Sequence, residues 1–312
     1  MEVRGVGVNF ADLVVRLGLY RSAKEFVGWP ITPGFEVSGT VASVGDEVRG
    51  FRTGDRVIAL TRFGAYTTRI CLPEVQVVRV PDGVDLLAMG GFPVVFITAW
   101  YALHELSKLR PGNRVLVHSA AGGVGSALVM LAKRAGCRVV GVVSSERKIA
   151  AARDAGADVV IDTSREQLWP AAEREAPDGF HVVLDANGGD TLKKSYRHVR
   201  SGGRLVVYGF HTLLRRGHDR LGLWRALLGI LRTPAFKPMQ MIDDNRSVHA
   251  FNLSYLFNET ALFQEGIAEL FGALERGEIR PLPFTAVPFD EVRRAHELLH
   301  GGATTGKIVL EV

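Results

Sequence analysis

The fold of this chain is decided by one stretch, Arg114-Val-Leu-Val-His-Ser-Ala-Ala-Gly-Gly-Val-Gly-Ser-Ala-Leu-Val-Met-Leu-Ala-Lys-Arg-Ala-Gly136. It predicts an apolar strand, a tight glycine turn and a helix, in that order. Ala120, Gly122 and Gly125 match the A-x-G-x-x-G dinucleotide fingerprint, whose small residues let a pyrophosphate approach the backbone at the helix N-terminus. Any strand-to-helix turn can need glycine for backbone reasons alone, but this position between strand and helix favours a nucleotide site.

Strands and helices alternate regularly from Arg114 onward. Most of the predicted strands are too continuously apolar to have a wet face, as in parallel sheets buried on both sides: 115–119, 138–143, 159–162, 182–185 and 204–208. Helices with polar faces are predicted between them: 126–135, 146–155 and 191–199. Gly136, Gly156 and Gly202 follow these helices as C-terminal glycines. The pattern predicts a doubly wound domain.

The two ends of the chain have a different pattern. Up to about residue 85, short strands such as 37–44 and 56–60 are separated by Gly-Asp and Pro-Asp turns, which predicts an irregular β domain. Strand character returns at 282–287 and 307–312, with a helix at 289–300 between them. We therefore expect residues 1–88 and 277–312 to form one domain. Residues 89–276 would form the nucleotide domain, with a basic, apolar insertion at 211–246.

Composition limits the class of protein. The chain has 312 residues, of which 47% are hydrophobic, enough to fill two globular cores. Cys71 and Cys137 lie far apart, which excludes a cysteine-built zinc site and fits a reducing compartment. No basic segment followed by an apolar core opens the chain, so we expect a cytoplasmic protein. The uncharged run 86–103 contains Gly90, Gly91 and Pro93, and we interpret it as a buried loop leading into a helix.

The charge is concentrated in one segment. The chain carries a formal net charge of +5, and residues 211–246 hold seven basic side chains against three acidic ones. Nearly all of the excess lies there, so we expect no nucleic-acid partner. Leucines and Trp224 within 213–232 form a broad apolar face ringed by arginines. Such a face is typical of a subunit interface or a cleft lid, and it can also lie on a membrane surface.

An ordered set of motifs now connects most of the chain: Gly7-Val-Asn-Phe-Ala-Asp12, Gly18-Leu-Tyr20, Pro33-Gly-Phe-Glu36 with Gly39, Gly54-Asp-Arg-Val57, the 120–125 turn and Gly306-Lys307. Together they resemble the zinc-independent quinone oxidoreductase branch of the medium-chain dehydrogenase/reductase superfamily. Within that branch, Asn9-Phe-Ala-Asp12, 121–125 and 213–255 with Asp244-Asn-Arg246 are most similar to the VAT-1 group. The resemblance implies an α/β fold, a GroES-like irregular β domain with a Rossmann domain, and a further strand pair ahead of residue 1.

Zinc is not expected. The zinc alcohol dehydrogenases of the superfamily have Cys at the position of Asn9 and Gly-His-Glu at the position of Gly34-Phe-Glu36. Without thiolate and imidazole ligands, a tetrahedral zinc site cannot be assembled there.

Cofactor choice depends on a segment about twenty residues after the glycine turn. Ser144 ends a predicted strand without a carboxylate that would select a free ribose. Lys148 matches the lysine that the resemblance places against a 2′-phosphate, with Arg147 beside it, so NADPH is the expected cofactor. Glu146 is the feature that argues against it. Arg147 and Lys148 can also be plain solvated charges, although a cation in a first helical turn opposes the helix dipole.

The resemblance assigns further site residues. Asn9 matches an asparagine by the nicotinamide that can hold cofactor or substrate oxygen, and otherwise it simply caps a helix. Tyr20 matches a tyrosine facing the cleft, where it can bind a carbonyl or donate a proton, and it can equally anchor its loop. These two are the candidate catalytic residues. The remaining cofactor-binding candidates, each of which can alternatively be packing, are Thr98, Gly123, Val124, Thr163, Tyr208, Gly209, Phe210 and Lys307.

The predicted reaction follows from these assignments. We expect a zinc-independent, NADPH-dependent reductase of a quinone or an α,β-unsaturated carbonyl, acting as a homodimer. Two other functions stay open at this point: an enoyl reductase of polyketide or fatty acyl metabolism, and a membrane- or lipid-associated NADPH-binding protein with little catalysis.

Overall fold

A computed structural model describes residues 1–211 and 233–312 of the chain. It divides into two compact units, one of Met1–Ile97 with Leu253–Val312 and one of Thr98–Asn252. These bounds differ from the expected 1–88 and 277–312, because the helix Thr260–Glu275 joins the first unit, where Phe271 packs edge-on against Phe92. Most of the expected basic insertion, and the whole of the 213–232 face, lies outside the described residues.

The first unit is built on a six-stranded sheet among its described residues. The strands are β1 Glu2–Val8, β2 Glu36–Thr40, β3 Arg56–Leu60, β4 Val77–Arg79, β11 Phe284–Pro288 and β12 Lys307–Glu311. Their order is β11-β12-β1-β2-β3-β4. All neighbours are antiparallel except β11 and β12, which pair in parallel. The C-terminal strands thus return to the N-terminal sheet, as the sequence predicted.

Helices flank this sheet: Phe10–Arg16, Arg21–Phe26, Leu86–Met89, Pro93–Trp100 (which runs on into the second unit), Thr260–Glu275 and Val292–His300, with 3-10 turns at Glu74–Gln76, Leu253–Tyr255 and Phe289–Glu291. Alternate residues of the central strands, such as Val6, Val37 and Leu310, point into a common apolar core. The sheet and its core hold the ends of β1, β2 and β12 in fixed register, which matters for the site described below.

The second unit contains the predicted parallel sheet. Its strands are β5 Arg114–Val117, β6 Arg138–Val143, β7 Val159–Asp162, β8 Phe180–Asp185, β9 Val199–Val207 and β10 Ser247–Ala250. Their order, β10-β9-β8-β5-β6-β7, is that of a doubly wound nucleotide-binding fold. The order reverses between β5 and β8. In such sheets, ligands bind beyond the carboxyl ends of the strands at this reversal, which is where the glycine turn after β5 lies.

Helices cover both faces of the parallel sheet, as a parallel sheet requires. They are Gly123–Arg134, Ile149–Asp154 preceded by a 3-10 turn at Glu146–Lys148, Leu168–Glu175, Asp190–Arg197 and Pro238–Asp244, and a π-helix spans Tyr101–Ser107. Leu116, Val140, Val183 and Leu205 form the core of one face together with the helix residue Tyr196.

Two local predictions were wrong. Gly202 does not end a helix: the helix stops at Arg197, and Gly202 lies within β9 with a positive φ of 75°. The register between β8 and β9 shifts there, from Phe180 opposite Val199 to Val182 opposite Arg204, so the glycine serves a bulge. Residues 86–103 are mostly helical and not loop. Within 1–211 and 233–312, none of the helices has the length and hydrophobicity that a membrane crossing requires.

Candidate functional site

The glycine turn has the geometry that its sequence predicts. Ser119 adopts a left-handed conformation with φ of 55°, and the Gly122 N–H donates back to the Ser119 carbonyl at 2.9 Å. A Cβ at Gly125 would overlap that same carbonyl oxygen, so only glycine fits there. On the other side, a Cβ at Gly141 of β6 would lie 2.9 Å from the Ala120 Cβ. The helix, the turn and β6 therefore pack so closely that there is no room for a side chain at Gly125 or Gly141.

This turn opens the helix Gly123–Arg134, which is 12 residues long. The first backbone N–H groups of a helix, here those of Gly123, Val124 and Gly125, have no acceptor within the helix. They carry the positive end of the helix dipole. An anion such as a pyrophosphate fits this end of the second unit.

Polar groups follow the next two strands at the same edge. Ser144 is exposed directly after β6, and the Thr163 hydroxyl donates to the Val143 carbonyl at 3.2 Å. The Ser145 hydroxyl is buried and has no hydrogen-bond partner among the described residues. Lys148 is half-buried, and its pKa is lowered by burial and then by Arg147. A phosphate would both use the unpaired hydroxyl and favour the lysine cation.

Glu146 does not offer a free carboxylate to this edge. It forms an ion pair with the Arg165 guanidinium. The one acidic residue that argued against a 2′-phosphate is therefore neutralised by a neighbour.

The residues after β9 lie at this edge as well. A Cβ at Gly209 would be 2.9 Å from the Ala186 carbonyl oxygen, so glycine permits close packing on the strand end. The Tyr208 hydroxyl is buried without a partner in the described part of the chain, and burial followed by Asp185 raises its pKa. Phe210 is 40% exposed and its ring lies against Gly188. Thr98 is buried in the helix Pro93–Trp100.

A buried polar network joins the ends of β5 and β8 to the helix Asp190–Arg197. The Ser195 hydroxyl donates to Asp185 Oδ2 at 2.7 Å, and His118 Nε2 lies 3.2 Å from the same hydroxyl. Asp185 Oδ1 accepts from the backbone N–H groups of Asn187 and Gly188 at 2.8 and 3.0 Å. The Ser195 side chain is fully buried, and its hydroxyl donates a hydrogen bond to the carboxylate. The network therefore stabilises the turn after β8 and is no nucleophilic site.

In the first unit, the Asn9 amide lies between the two members of a buried ion pair, Lys307 and Glu36. The Lys307 ammonium donates to Glu36 Oε1 at 2.9 Å, to Asn9 Oδ1 at 2.8 Å and to the Val8 carbonyl at 2.9 Å. Asn9 Nδ2 donates to Glu36 Oε1 at 2.8 Å and to the Gly7 carbonyl at 3.2 Å. Lys307 is 4% exposed and Glu36 is 0% exposed. The ends of β1, β2 and β12 thus meet in one charged, fully bonded cluster.

This geometry occupies the donors of two residues assigned to the site from the sequence, and both assignments stay predictions. Lys307 was expected to bind the cofactor, but an ammonium has three donors and all three are used within the protein. Asn9 was expected to hold a cofactor or substrate oxygen, but both of its amide donors are taken. No signal in the sequence pointed to this pairing, because Glu36 and Lys307 are 271 residues apart.

A second series of buried hydrogen bonds begins at Asp12, one helical turn after Asn9. Asp12 accepts from the Asn9 and Gly34 N–H groups at 2.8 and 3.1 Å and from the Tyr66 hydroxyl at 3.1 Å. The same hydroxyl lies 2.9 Å from His296 Nε2. Burial raises the pKa of the Asp12 carboxyl to about 7, although the hydrogen bond from Asn9 and the charge of Lys307 oppose the rise.

Tyr20 lies in an aromatic cluster of the first unit. Its ring contacts Phe35 and Phe63 edge-on, with centroids 5.9 and 6.2 Å away. The ring of Tyr20 therefore anchors its loop, which is one of the two roles considered from the sequence. A role of its hydroxyl in the reaction stays a prediction.

The residues present do not fit a zinc ion. Phe35, at the position of the zinc enzymes' histidine, packs in that aromatic cluster. The Lys307 ammonium already lies 2.8 Å from the amide oxygen of Asn9, and its charge would repel a metal cation. Across the described ranges, no group of three or more His, Cys, Asp or Glu side chains is arranged to hold a metal.

A GroES-like β unit and a doubly wound unit with a nucleotide turn are the architecture of the two-domain dehydrogenases and reductases. Family models agree: that of the alcohol dehydrogenase GroES-like domain matches residues 1–108, and that of the zinc-binding dehydrogenases matches residues 123–259. The chain belongs to the medium-chain dehydrogenase/reductase superfamily.

Individual relatives fall in several branches. The chain is 32% identical to the human synaptic vesicle membrane protein VAT-1 homolog over 99% of this chain and 78% of that protein. It is 33% identical to 2-haloacrylate reductase of a Burkholderia species, over 98% of this chain and 88% of the reductase. The solved Escherichia coli quinone oxidoreductase complexed with NADPH is 25% identical with a TM-score of 0.85, covering 100% of this chain and 90% of that one. The resemblance to the VAT-1 group and the quinone oxidoreductases is confirmed.

Proposed function

We propose that this chain is an NADPH-dependent oxidoreductase that reduces a quinone or an α,β-unsaturated carbonyl by hydride transfer, without zinc. The observation that carries the proposal is the turn at Ser119–Gly125, where a Cβ at Gly125 is excluded and the first N–H groups of a 12-residue helix have no acceptor within the helix. NADPH bound by the similar E. coli quinone oxidoreductase supports the same cofactor here.

The residues of the second unit would hold the cofactor. The N–H groups of Gly123, Val124 and Gly125 take the pyrophosphate, and Lys148 with the hydroxyls of Ser144 and Ser145 takes the 2′-phosphate. Thr98, Ala120, Gly122, Thr163, Tyr208, Gly209 and Phe210 line the remainder. When bound, NADPH supplies a hydride from its nicotinamide ring.

In the first unit, Asn9 would align the ring and Tyr20 would act on the substrate. Negative charge builds on the substrate oxygen as a hydride arrives, and a nearby donor stabilises it. The resemblance offers the Tyr20 hydroxyl for this role, whereas both amide donors of Asn9 are used by Gly7 and Glu36. We propose a homodimer in the cytoplasm as the working form.

The test is NADPH oxidation measured against a panel of quinones, enals and enoyl thioesters. We expect a quinone or enone to accelerate oxidation, and NADPH deuterated at the nicotinamide C4 to deliver its label to the carbon of a reduced alkene. A preference for enoyl thioesters would instead assign the chain to acyl metabolism. If no acceptor accelerates oxidation while lipid vesicles bind the protein, the proposal gives way to a lipid-associated role.

A further inference from the structure

Arg62 is a half-buried cation of the first unit, and it forms no salt bridge within the described residues. Its Cζ atom lies 4.0 Å from the centroid of the Phe26 ring and 5.3 Å from that of the Phe257 ring. Nη2 donates to Asn258 Oδ1 at 3.0 Å, whereas the buried Nε has no hydrogen-bond partner in the described part of the chain. Because a guanidinium stays charged and a buried donor without an acceptor costs free energy, this group suits an anionic ligand.

The neighbours of Arg62 do not supply that acceptor. The two aromatic rings attract the cation through their faces, but the N–H groups point outward in the plane of the guanidinium. The carboxylate next to Phe26 is that of Glu25. It accepts from Arg21 Nε at 2.6 Å and from the Tyr255 hydroxyl at 2.7 Å, so it is already bound by other groups.

The backbone beside Arg62 is held in a strained conformation. Phe63 has a φ of 72°, in the left-handed region that a bulky side chain rarely adopts. The Thr61 hydroxyl donates to the Phe63 carbonyl at 2.7 Å, and the Phe63 ring packs against Phe35 with centroids 5.1 Å apart. Such strain persists only where the surrounding structure fixes it, and it is concentrated at ligand sites. Arg62 is therefore held in place by a buried neighbour.

An apolar pocket of the same unit adjoins this cation. None of the described residues that line it is charged, and its walls include Leu60, Phe257, Phe263 and Ile267. The Phe257 ring contacts Arg62 and is also a wall of the pocket, and Leu60 precedes Arg62 by two residues. The pocket thus offers apolar contact, and Arg62 offers a positive charge at its margin.

We propose that Arg62 and this pocket form a binding site for an amphiphilic carboxylate, whose anionic head binds Arg62 and whose apolar chain lies in the pocket. A carboxylate can accept from Nε and from a terminal nitrogen of one guanidinium at once, which is the strongest pairing open to this side chain. A small anion such as acetate would leave the pocket empty, and an alcohol with the same chain would leave Nε without an acceptor. The whole site lies in the first unit.

The experiment is calorimetric titration of the full chain, without NADPH, with octanoate, octan-1-ol and acetate. Arg62→Met removes the cation, and Arg62→Lys keeps a charge without the planar arrangement of donors. Val75→Glu places a negative charge at an exposed position of the pocket wall, where folding does not depend on the side chain. Arg294→Met removes an exposed arginine that pairs with Glu291 and is the matched control. Circular dichroism verifies that each variant is folded.

We expect the wild type and Arg294→Met to bind octanoate saturably and about tenfold more tightly than octanol or acetate, the value of a hydrogen bond to a charged group. Arg62→Met should bind octanoate only as weakly as octanol and leave octanol binding unchanged, with Arg62→Lys between it and the wild type. Val75→Glu should weaken octanoate more than octanol, because it adds a like charge.

Three results would overturn the inference. The first is the absence of saturable octanoate binding by the wild type. The second is equal octanoate affinity of the wild type and Arg62→Met. The third is an equal loss of octanoate and octanol in Arg62→Met, which is the result that a purely structural arginine predicts. Each of them leaves the NADPH proposal intact, because no cofactor enters the measurement.

Discussion

Lys307 and Glu36 lie 271 residues apart in the chain, and their charged atoms meet 2.9 Å apart in the core of the first unit. We predict that Lys307→Met lowers the free energy of unfolding by about 3–5 kcal/mol, because it leaves a buried carboxylate without its partner. Lys307→Met with Glu36→Gln should cost less than Lys307→Met alone. Urea unfolding of both variants measures the difference, and equal losses would show that the pairing itself carries little energy.

Cofactor selection should depend on Lys148. We predict that Lys148→Ala weakens NADPH binding by about 1.5–3 kcal/mol, the value of a hydrogen bond to a charged group, and leaves NADH binding nearly unchanged. The half-buried position of this lysine, at the end of the 3-10 turn Glu146–Lys148 that follows β6, is the reason. Titration with both cofactors checks it. Arg153→Ala, in the helix Ile149–Asp154 that follows this turn, is the control, and an equal loss for NADH and NADPH would contradict the assignment.

The turn should tolerate no side chain at Gly125. A methyl group there overlaps the Ser119 carbonyl, so Gly125→Ala must displace the start of the helix and with it the N–H groups offered to the pyrophosphate. We predict a loss of NADPH affinity of tenfold or more, since about 1.4 kcal/mol already corresponds to tenfold. Gly45→Ala is the matched control, because a Cβ at Gly45 meets nothing within 4 Å. Similar affinities of the two variants would argue against the site.

Removal of metal should not affect activity. The positive charge of the Lys307 ammonium beside Asn9 would repel a zinc ion. Phe35 packs in the aromatic cluster and offers no atom that could bind the metal. We predict that dialysis against a chelator leaves the rate of NADPH oxidation unchanged and that the purified protein contains far less than one zinc per chain. Elemental analysis is the check, and a stoichiometric zinc content would reverse the conclusion.

The pH dependence of stability should separate Asp12 from His296. Burial raises the pKa of Asp12 from its ordinary 3.8 to about 7, so the stability that it contributes is present below 3.8 and is lost as the pH rises through 7. Burial, followed by the charge of Arg16, lowers the pKa of His296 from 6.5 to about 4, so its contribution is present above 6.5 and is lost as the pH falls through 4. The two slopes oppose each other between pH 4 and 6.5.

Two variants separate the contributions of Asp12 and His296 to the pH dependence of stability. Asp12→Asn should make stability rise more steeply with pH over this window, and His296→Gln should make it fall relative to the wild type. Lys307, Glu36, Tyr66 and Arg16 are the other titratable groups around this pair, and both variants retain them. Denaturant midpoints at pH 4.5 and 7.5 suffice. Parallel pH profiles for all three proteins would refute the opposing contributions.

Sequence reasoning succeeded where the determinants are local. The doubly wound sheet follows from strand composition and from one glycine turn, because each βαβ unit contains its own signals. It failed where a residue's partners come from distant strands. Gly202 lies in a bulge that only the pairing of β8 with β9 reveals. Asn9 stays a predicted site residue, and the orientation of its amide was not foreseeable, since it depends on a lysine nearly three hundred residues later.

The Tyr66 hydroxyl carries a single proton, and it lies between Asp12 and His296. When Asp12 is ionised, Tyr66 donates to the carboxylate, so His296 Nε2 must carry hydrogen. When Asp12 takes up a proton and donates it to Tyr66, the direction of both hydrogen bonds reverses and His296 Nε2 becomes the acceptor. The tautomer of the His296 imidazole therefore depends on the ionisation of Asp12, a carboxyl that it does not contact. The nitrogen-15 chemical shifts of His296 would report this ionisation, although no heavy atom needs to move.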